Sequence, residues 1–131
     1  MTQTQETPPG HSDLTTEGIR VRVGAKKVES HNYPDQNKNL FVYLVSLENV
    51  GEAWAQLESR YWRIIDADGE EEEVEGPGVV GNFPELEPGE KHQYQSFCPL
   101  DTHWGSMEGY FIFRRRDGKR FQVPVGRFFL A

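Results

Sequence analysis

The residues Gly76-Pro77-Gly78-Val79-Val80-Gly81 fit the pattern G-x-G-x-x-G. In dinucleotide-binding folds such glycines let the backbone approach a pyrophosphate at a helix N-terminus. The surroundings here oppose that chemistry. No βαβ pattern encloses the motif, Asn82-Phe83-Pro84 stands where a helix should begin, and Pro77 has no N–H to offer a phosphate. The segment reads best as a glycine-rich connection between sheets. Gly76, Gly78 and Gly81 are kept as the candidate pyrophosphate- or nucleotide-binding residues.

The acidic run Asp66, Asp68, Glu70, Glu71, Glu72, Glu73 and Glu75 could attract divalent cations weakly. An EF-hand loop spaces its oxygen ligands before a glycine and a distant glutamate. Here Gly69 follows directly on Asp68, so the run reads as a turn and a charged strand edge. Of the histidines His11, His31, His92 and His103, none has the spacing of a structural zinc site. Cys98, His103 and Asp101 contain the types of a nucleophile, a base and an orienting group. Cys98 stands at a strand end before Pro99, however, where a small buried thiol is the usual occupant. No catalytic residue, metal site or cofactor is expected, and the chain reads as a binder without enzymatic activity. Aromatic residues supply the candidate contact surface: Tyr61, Trp62, Phe83, Trp104, Phe128 and Phe129. Phe128 and Phe129 are adjacent, so in a strand one of them points away from the core.

The elements that position these residues are strands. Residues 1–16 are polar and Pro-containing and read as a disordered tail, leaving one domain over 17–131. From Glu17 the chain alternates with period two. Ile19, Val21 and Val23 face one way, Arg20 and Arg22 the other. A polar loop over 32–37 precedes Leu40 to Leu47, which is apolar on both faces and reads as a central strand. Gln56 to Ile65 reads as a long strand with Trp62 and Ile64 on one face and Leu57, Tyr61 and Ile65 on the other. Ala67-Asp68-Gly69 turns the chain into a short charged edge strand over 70–74. Glu90 to Cys98 alternates again, and Met107 to Arg114 and Arg120 to Phe128 form a hairpin across Asp117-Gly118. Arg114, Arg115, Arg116, Lys119 and Arg120 read as solvated charges at that hairpin's end. The fold class predicted is all-β: an immunoglobulin- or fibronectin type III-like antiparallel β-sandwich of about seven or eight strands.

Composition narrows the partners. The 131 residues carry a formal charge of −7, which disfavours nucleic acid. Cys98 is the single cysteine, so no internal disulfide forms, and a reducing compartment, the cytoplasm, is expected. No apolar run is long enough for a membrane helix. The expected partner is an unidentified protein, and nothing in the residues sets the oligomeric state.

Taken in order, several blocks resemble the ApaG family (the DUF525 domain). They are Ser59-Arg60-Tyr61-Trp62, Asp66-Ala67-Asp68-Gly69, the run Val74 to Gly81, Pro84 to Glu90, Tyr94 to Leu100, Gly105 to Tyr110 and Phe121 to Leu130. The resemblance implies a fibronectin type III-like sandwich in a bacterial protein. It also implies kinship to modules of certain F-box proteins and of a polymerase-delta-interacting protein, where the domain is thought to mediate protein–protein contacts. A label of cobalt and magnesium efflux attaches to bacterial members, so an accessory role in cation homeostasis is the alternative. Two positions depart from the family pattern. Tyr61 replaces a common histidine, and Gly126 stands where a proline is usual, with Pro124 shifted.

Overall fold

The computed structural model describes residues 9–28 and 39–131. The loop expected over 32–37 and the start of the expected tail lie outside the described residues. Among the described residues nine strands run in order: β1 (His11–Thr16), β2 (Ile19–Lys27), β3 (Asn39–Asn49), β4 (Ala55–Asp66), β5 (Glu71–Pro77), β6 (Glu85–Leu86), β7 (Lys91–Leu100), β8 (Gly105–Arg114) and β9 (Arg120–Leu130). Every pairing is antiparallel. One sheet has the order β1-β2-β3-β7, the other β5-β4-β8-β9, with the short β6 also on β4. The all-β sandwich is therefore observed. No helix among the described residues is long and apolar enough to cross a membrane.

Period-two alternation positions the core as expected. Ile19, Val21 and Val23 of β2 and Phe41, Val45 and Leu47 of β3 are buried, and they face Leu57, Trp62, Phe111, Phe113 and Val123 of the other sheet. Trp62 stands at the centre. Its ring meets Tyr43 of the opposite sheet at 5.6 Å, Phe111 at 5.7 Å and Phe128 at 6.0 Å, each edge to face, the arrangement the ring quadrupole favours.

Three expectations need correction. The tail was expected to reach Thr16, but residues 11–16 form β1 and pair with β2 from His11↔Gly24 to Thr16↔Ile19. The strand is polar because it is held by its ladder, the Arg20–Asp13 ion pair at 2.8 Å and burial of Ser12, and not by an apolar face. Leu57 is a core residue, because a register shift between Leu57 and Ser59 places one extra residue, Glu58, in β4. Such a bulge inverts the parity beyond it. Phe128 is likewise fully buried. The β8–β9 register shifts between Met107 and Gly109, and Gly126 and Arg127 of β9 bulge out opposite Glu108. Val123 and Val125 before the bulge and Phe128 and Leu130 after it then all face inward.

Trp62 pairs across the ladder with Gly109. A Cβ on Gly109 would overlap the Tyr61 carbonyl oxygen and lie 3.1 Å from the Trp62 Cα. Backbone cannot yield as a side-chain tip can, so Gly109→Ala is expected to destabilise by about 2–4 kcal/mol. Urea unfolding checks this; a loss within about 0.5 kcal/mol, the range of neutral surface changes, would contradict the packing.

Candidate functional site

The glycine motif closes on itself. Gly76 lies in β5 against the Arg60 guanidinium, and Arg60 Nη1 donates to the carbonyls of Pro77 and Gly78, each at 2.9 Å. The Gly78 N–H donates to Glu58 O, and Val79 and Asn82 exchange N–H···O bonds. Gly78 has φ +60°, and a Cβ there would lie 2.5 Å from the Asn82 carbonyl oxygen. The glycine is thus required by a tight turn that buries Val79. A phosphate cradle needs convergent, unspent N–H groups. Here the amides of Gly78, Val79 and Asn82 are spent on backbone carbonyls, and the nearby cation is held by carbonyls. Gly81, at φ +77°, completes the turn with nothing packed against it.

The acidic run is also organised internally. Asp66 Oδ1 accepts from the Asp68 and Glu70 amides at 2.9 and 3.0 Å, and Glu71 pairs with Arg63 at 2.5 Å. Among the described residues no three acidic, histidine or cysteine side chains gather as a metal would require. Cys98 is buried on the inner face of β7, and burial first, then Glu72, pushes its thiol up to about 12. A thiol so held is protonated at neutral pH and is no nucleophile. His103 lies in the turn between β7 and β8, His11 in β1 and His92 in β7, while His31 is outside the described residues.

The aromatic candidates divide. Trp62 and Phe128 are core residues and leave the contact set, for the packing and parity reasons above. Tyr61 is half-buried and stacks on Tyr110 at 4.8 Å on the outer face of its sheet. Phe83, Trp104 and Phe129 are 41–50% exposed. Trp104 precedes β8 and Phe129 closes β9, so both stand at one end of the sandwich, whereas Phe83 stands at the other.

Two features of the surface were missed. The hairpin's charges are only partly as expected: Arg116, Lys119 and Arg120 are exposed, but two of the arginines are also engaged with other loops. Arg115 donates to the Glu17 and Ala53 carbonyls at 2.5 and 3.0 Å and lies 4.3 Å over the Phe121 ring. Arg116 lies 4.5 Å over the Trp54 ring and pairs with Glu87. They clamp three loops at the Phe83 end of the molecule. The second feature is the outer face of the first sheet. It holds a groove of about 990 Å³ lined by Arg22, Lys26, Val42, Leu44, Gln93 and Gln95. Leu44 and the neighbouring Phe97 are 50% and 54% exposed. The signal was present in the sequence, since Leu40 to Leu47 is apolar at both parities.

Comparison with known proteins places this architecture. The family model described as the ApaG domain (DUF525) matches residues 29–115. Protein ApaG of Anaeromyxobacter dehalogenans is 48% identical over 117 residues, covering 89% of this chain and 92% of that protein. Protein ApaG of Mesorhizobium japonicum is 41% identical over 115 residues, covering 88% of each. The crystal structure of a protein from Bordetella pertussis described as putative ApaA superposes with a TM-score of 0.81. It is 38% identical, covering 95% of this chain and 97% of that one.

Two outcomes follow from the geometry. Below the ordinary thiol pKa of 9.0, stability owes nothing to Cys98 ionisation; between there and about 12 the unfolded thiol ionises and the folded one does not. Stability should therefore fall as pH rises through that window. Burial also raises the phenols of Tyr94 and Tyr43, so Cys98→Ala should remove only part of the fall measured by urea unfolding. Separately, Arg115→Met should cost about 1–2 kcal/mol through its lost charged hydrogen bonds and ring contact, and Lys119→Met, at the hairpin tip, within about 0.5 kcal/mol. Equal effects would remove the clamp from the account.

Proposed function

The chain belongs to the ApaG domain family, and we propose that it acts by binding a protein partner, without catalysis, through exposed apolar residues at the ends and on one face of the sandwich. The observation that carries this reading is the exposure of Leu44, Phe83, Phe97, Trp104 and Phe129 on a chain whose core is already filled by Trp62, Phe111, Phe113 and Phe128. Large rings left half-exposed, where core positions are otherwise satisfied, mark contact surfaces. The buried, protonated Cys98 and the spent amides of the glycine turn support binding over chemistry. The strand order supports a finer placing of the architecture. With β2, β3 and β7 on one sheet and β5, β4, β8 and β9 on the other, it resembles immunoglobulin- and fibronectin type III-like sandwiches, whose loops cluster at the two ends.

Photocrosslinking in cells tests the reading. A benzophenone amino acid at Trp104, Phe129 or Phe83 should yield a discrete adduct with another protein, and one at Lys119 should not. Adducts no stronger than at Lys119, or adducts only with further copies of the chain, would overturn it.

A further inference from the structure

We propose that the free edge of β7 takes an extended, cationic segment of a partner as an added strand of the first sheet; this names a site and a partner chemistry within the interaction reading above.

A sandwich of two open sheets has four edges, and three are closed to an added strand. β1 and β9 abut, with the Phe129 N–H donating to Pro9 O at 2.7 Å and Ser12 set against Gly126. β5 carries Glu71, Glu72, Glu73 and Glu75, the charged edge that proteins use against unwanted pairing. β7 is different. It pairs with β3 from Lys91 to Leu100 and has no second neighbour among the described residues. From His92 to Leu100 it has no Lys, Arg, Asp or Glu.

An antiparallel ladder sends the N–H and C=O of alternate residues to the partner strand and those of the others away. Pro99 has no N–H and lies within β7, so it marks the parity that faces away from β3. The Asn49 N–H bond to Glu90 O assigns the same parity. Gln93, Gln95 and Phe97 therefore direct their backbone groups to the free edge. Pro99 bounds that stretch at one end and Lys91 at the other.

Charge selects the occupant. A strand added beside β7 would lie about 4.8 Å from it and face β5 across the roughly 10 Å between sheets. Glu72 of β5 already acts on Cys98 of β7 across that mouth. Glu72, which pairs across the ladder with the inward-facing Ile64, makes no ion pair among the described residues. Inward side chains of the added strand would also meet Tyr94 Oη and His92 Nε2, two buried polar atoms with no hydrogen-bond partner among the described residues. Lysine or arginine at inward positions satisfies the Glu72 carboxylate and the phenol oxygen. Apolar residues at the alternate positions extend the exposed Phe97 surface. A second copy of this chain fits poorly, because its own β7 offers no cation between His92 and Leu100 and its acidic β5 would be brought to the same side.

The test uses the full chain with synthetic heptapeptides alternating lysine and valine, the same peptide with glutamate for lysine, and a lysine peptide N-methylated at alternate residues. Amide exchange followed by NMR should slow about tenfold or more at Gln93, Gln95 and Phe97 with the lysine peptide. The glutamate and N-methylated peptides should leave it unchanged, and the lysine effect should weaken as salt is raised. Glu72→Lys and Phe97→Lys, both at exposed positions, should abolish it while the unfolding midpoint stays near that of the parent. Equal protection by the glutamate peptide, perturbation confined to the Leu44 groove or to Trp104, or β7 protection by self-association without peptide would overturn the proposal. If β7 stays unprotected while Trp104 and Phe129 still crosslink to another protein, the edge assignment alone fails. Loss of both removes the interaction reading as well.

Discussion

One indole holds the two sheets in register. Trp62 reaches from β4 to Tyr43 of the opposite sheet and is flanked by Phe111 and Phe128 of its own. Its Nε1–H finds no acceptor among the described residues, which costs about 1–3 kcal/mol, whereas truncating a buried Trp typically costs about 3–5. Apolar burial therefore outweighs the stranded donor. The close approach of β4 to β8 at Gly109 and the bulge that turns Phe128 inward both serve this contact. What the surface can do depends on it, because rings placed at the centre free others for the outside.

Much of this was legible in residue types alone. Alternation gave the faces of β2, the central position of β3 and the β8–β9 hairpin, since those segments run without interruption between turn signals. What was hidden shares a physical origin. A bulge inverts parity without a mark in composition, so Leu57 was placed on the face opposite Trp62 and Phe128 was kept among the contact candidates. β1 is polar and held by its ladder, and composition sees apolar burial better than backbone pairing. Arg115 looked like solvated charge because its acceptors, the carbonyls of Glu17 and Ala53, are backbone groups far away in sequence.

For the candidate site the lesson runs the other way. The G-x-G-x-x-G spacing was the most conspicuous motif, and its geometry is that of a turn in which Arg60 holds the carbonyls. The quieter signal, a strand apolar on both faces, led to the exposed Leu44 and its groove. A motif depends on which atoms its backbone leaves unspent, and spacing does not report that. An exposed ring reports surface directly, because burying it would have been favourable had the core held room.

The seam between β1 and β9 has a consequence for how the chain is made. The Phe129-to-Pro9 bond and the Arg115–Glu17 contact, the latter spanning 98 residues, are among the last contacts of this domain that synthesis permits, and loop closure over such separations is slow. While the ribosome adds residues at roughly 5–20 per second, β1 waits for seconds with its outer edge unpaired. Its sequence, His-Ser-Asp-Leu-Thr-Thr, suits that wait: a polar strand whose Asp13 is already tied to Arg20 is a poor template for a neighbouring nascent chain. The composition that disguises β1 as a tail also makes it a poor edge for an unfinished domain to offer its neighbours.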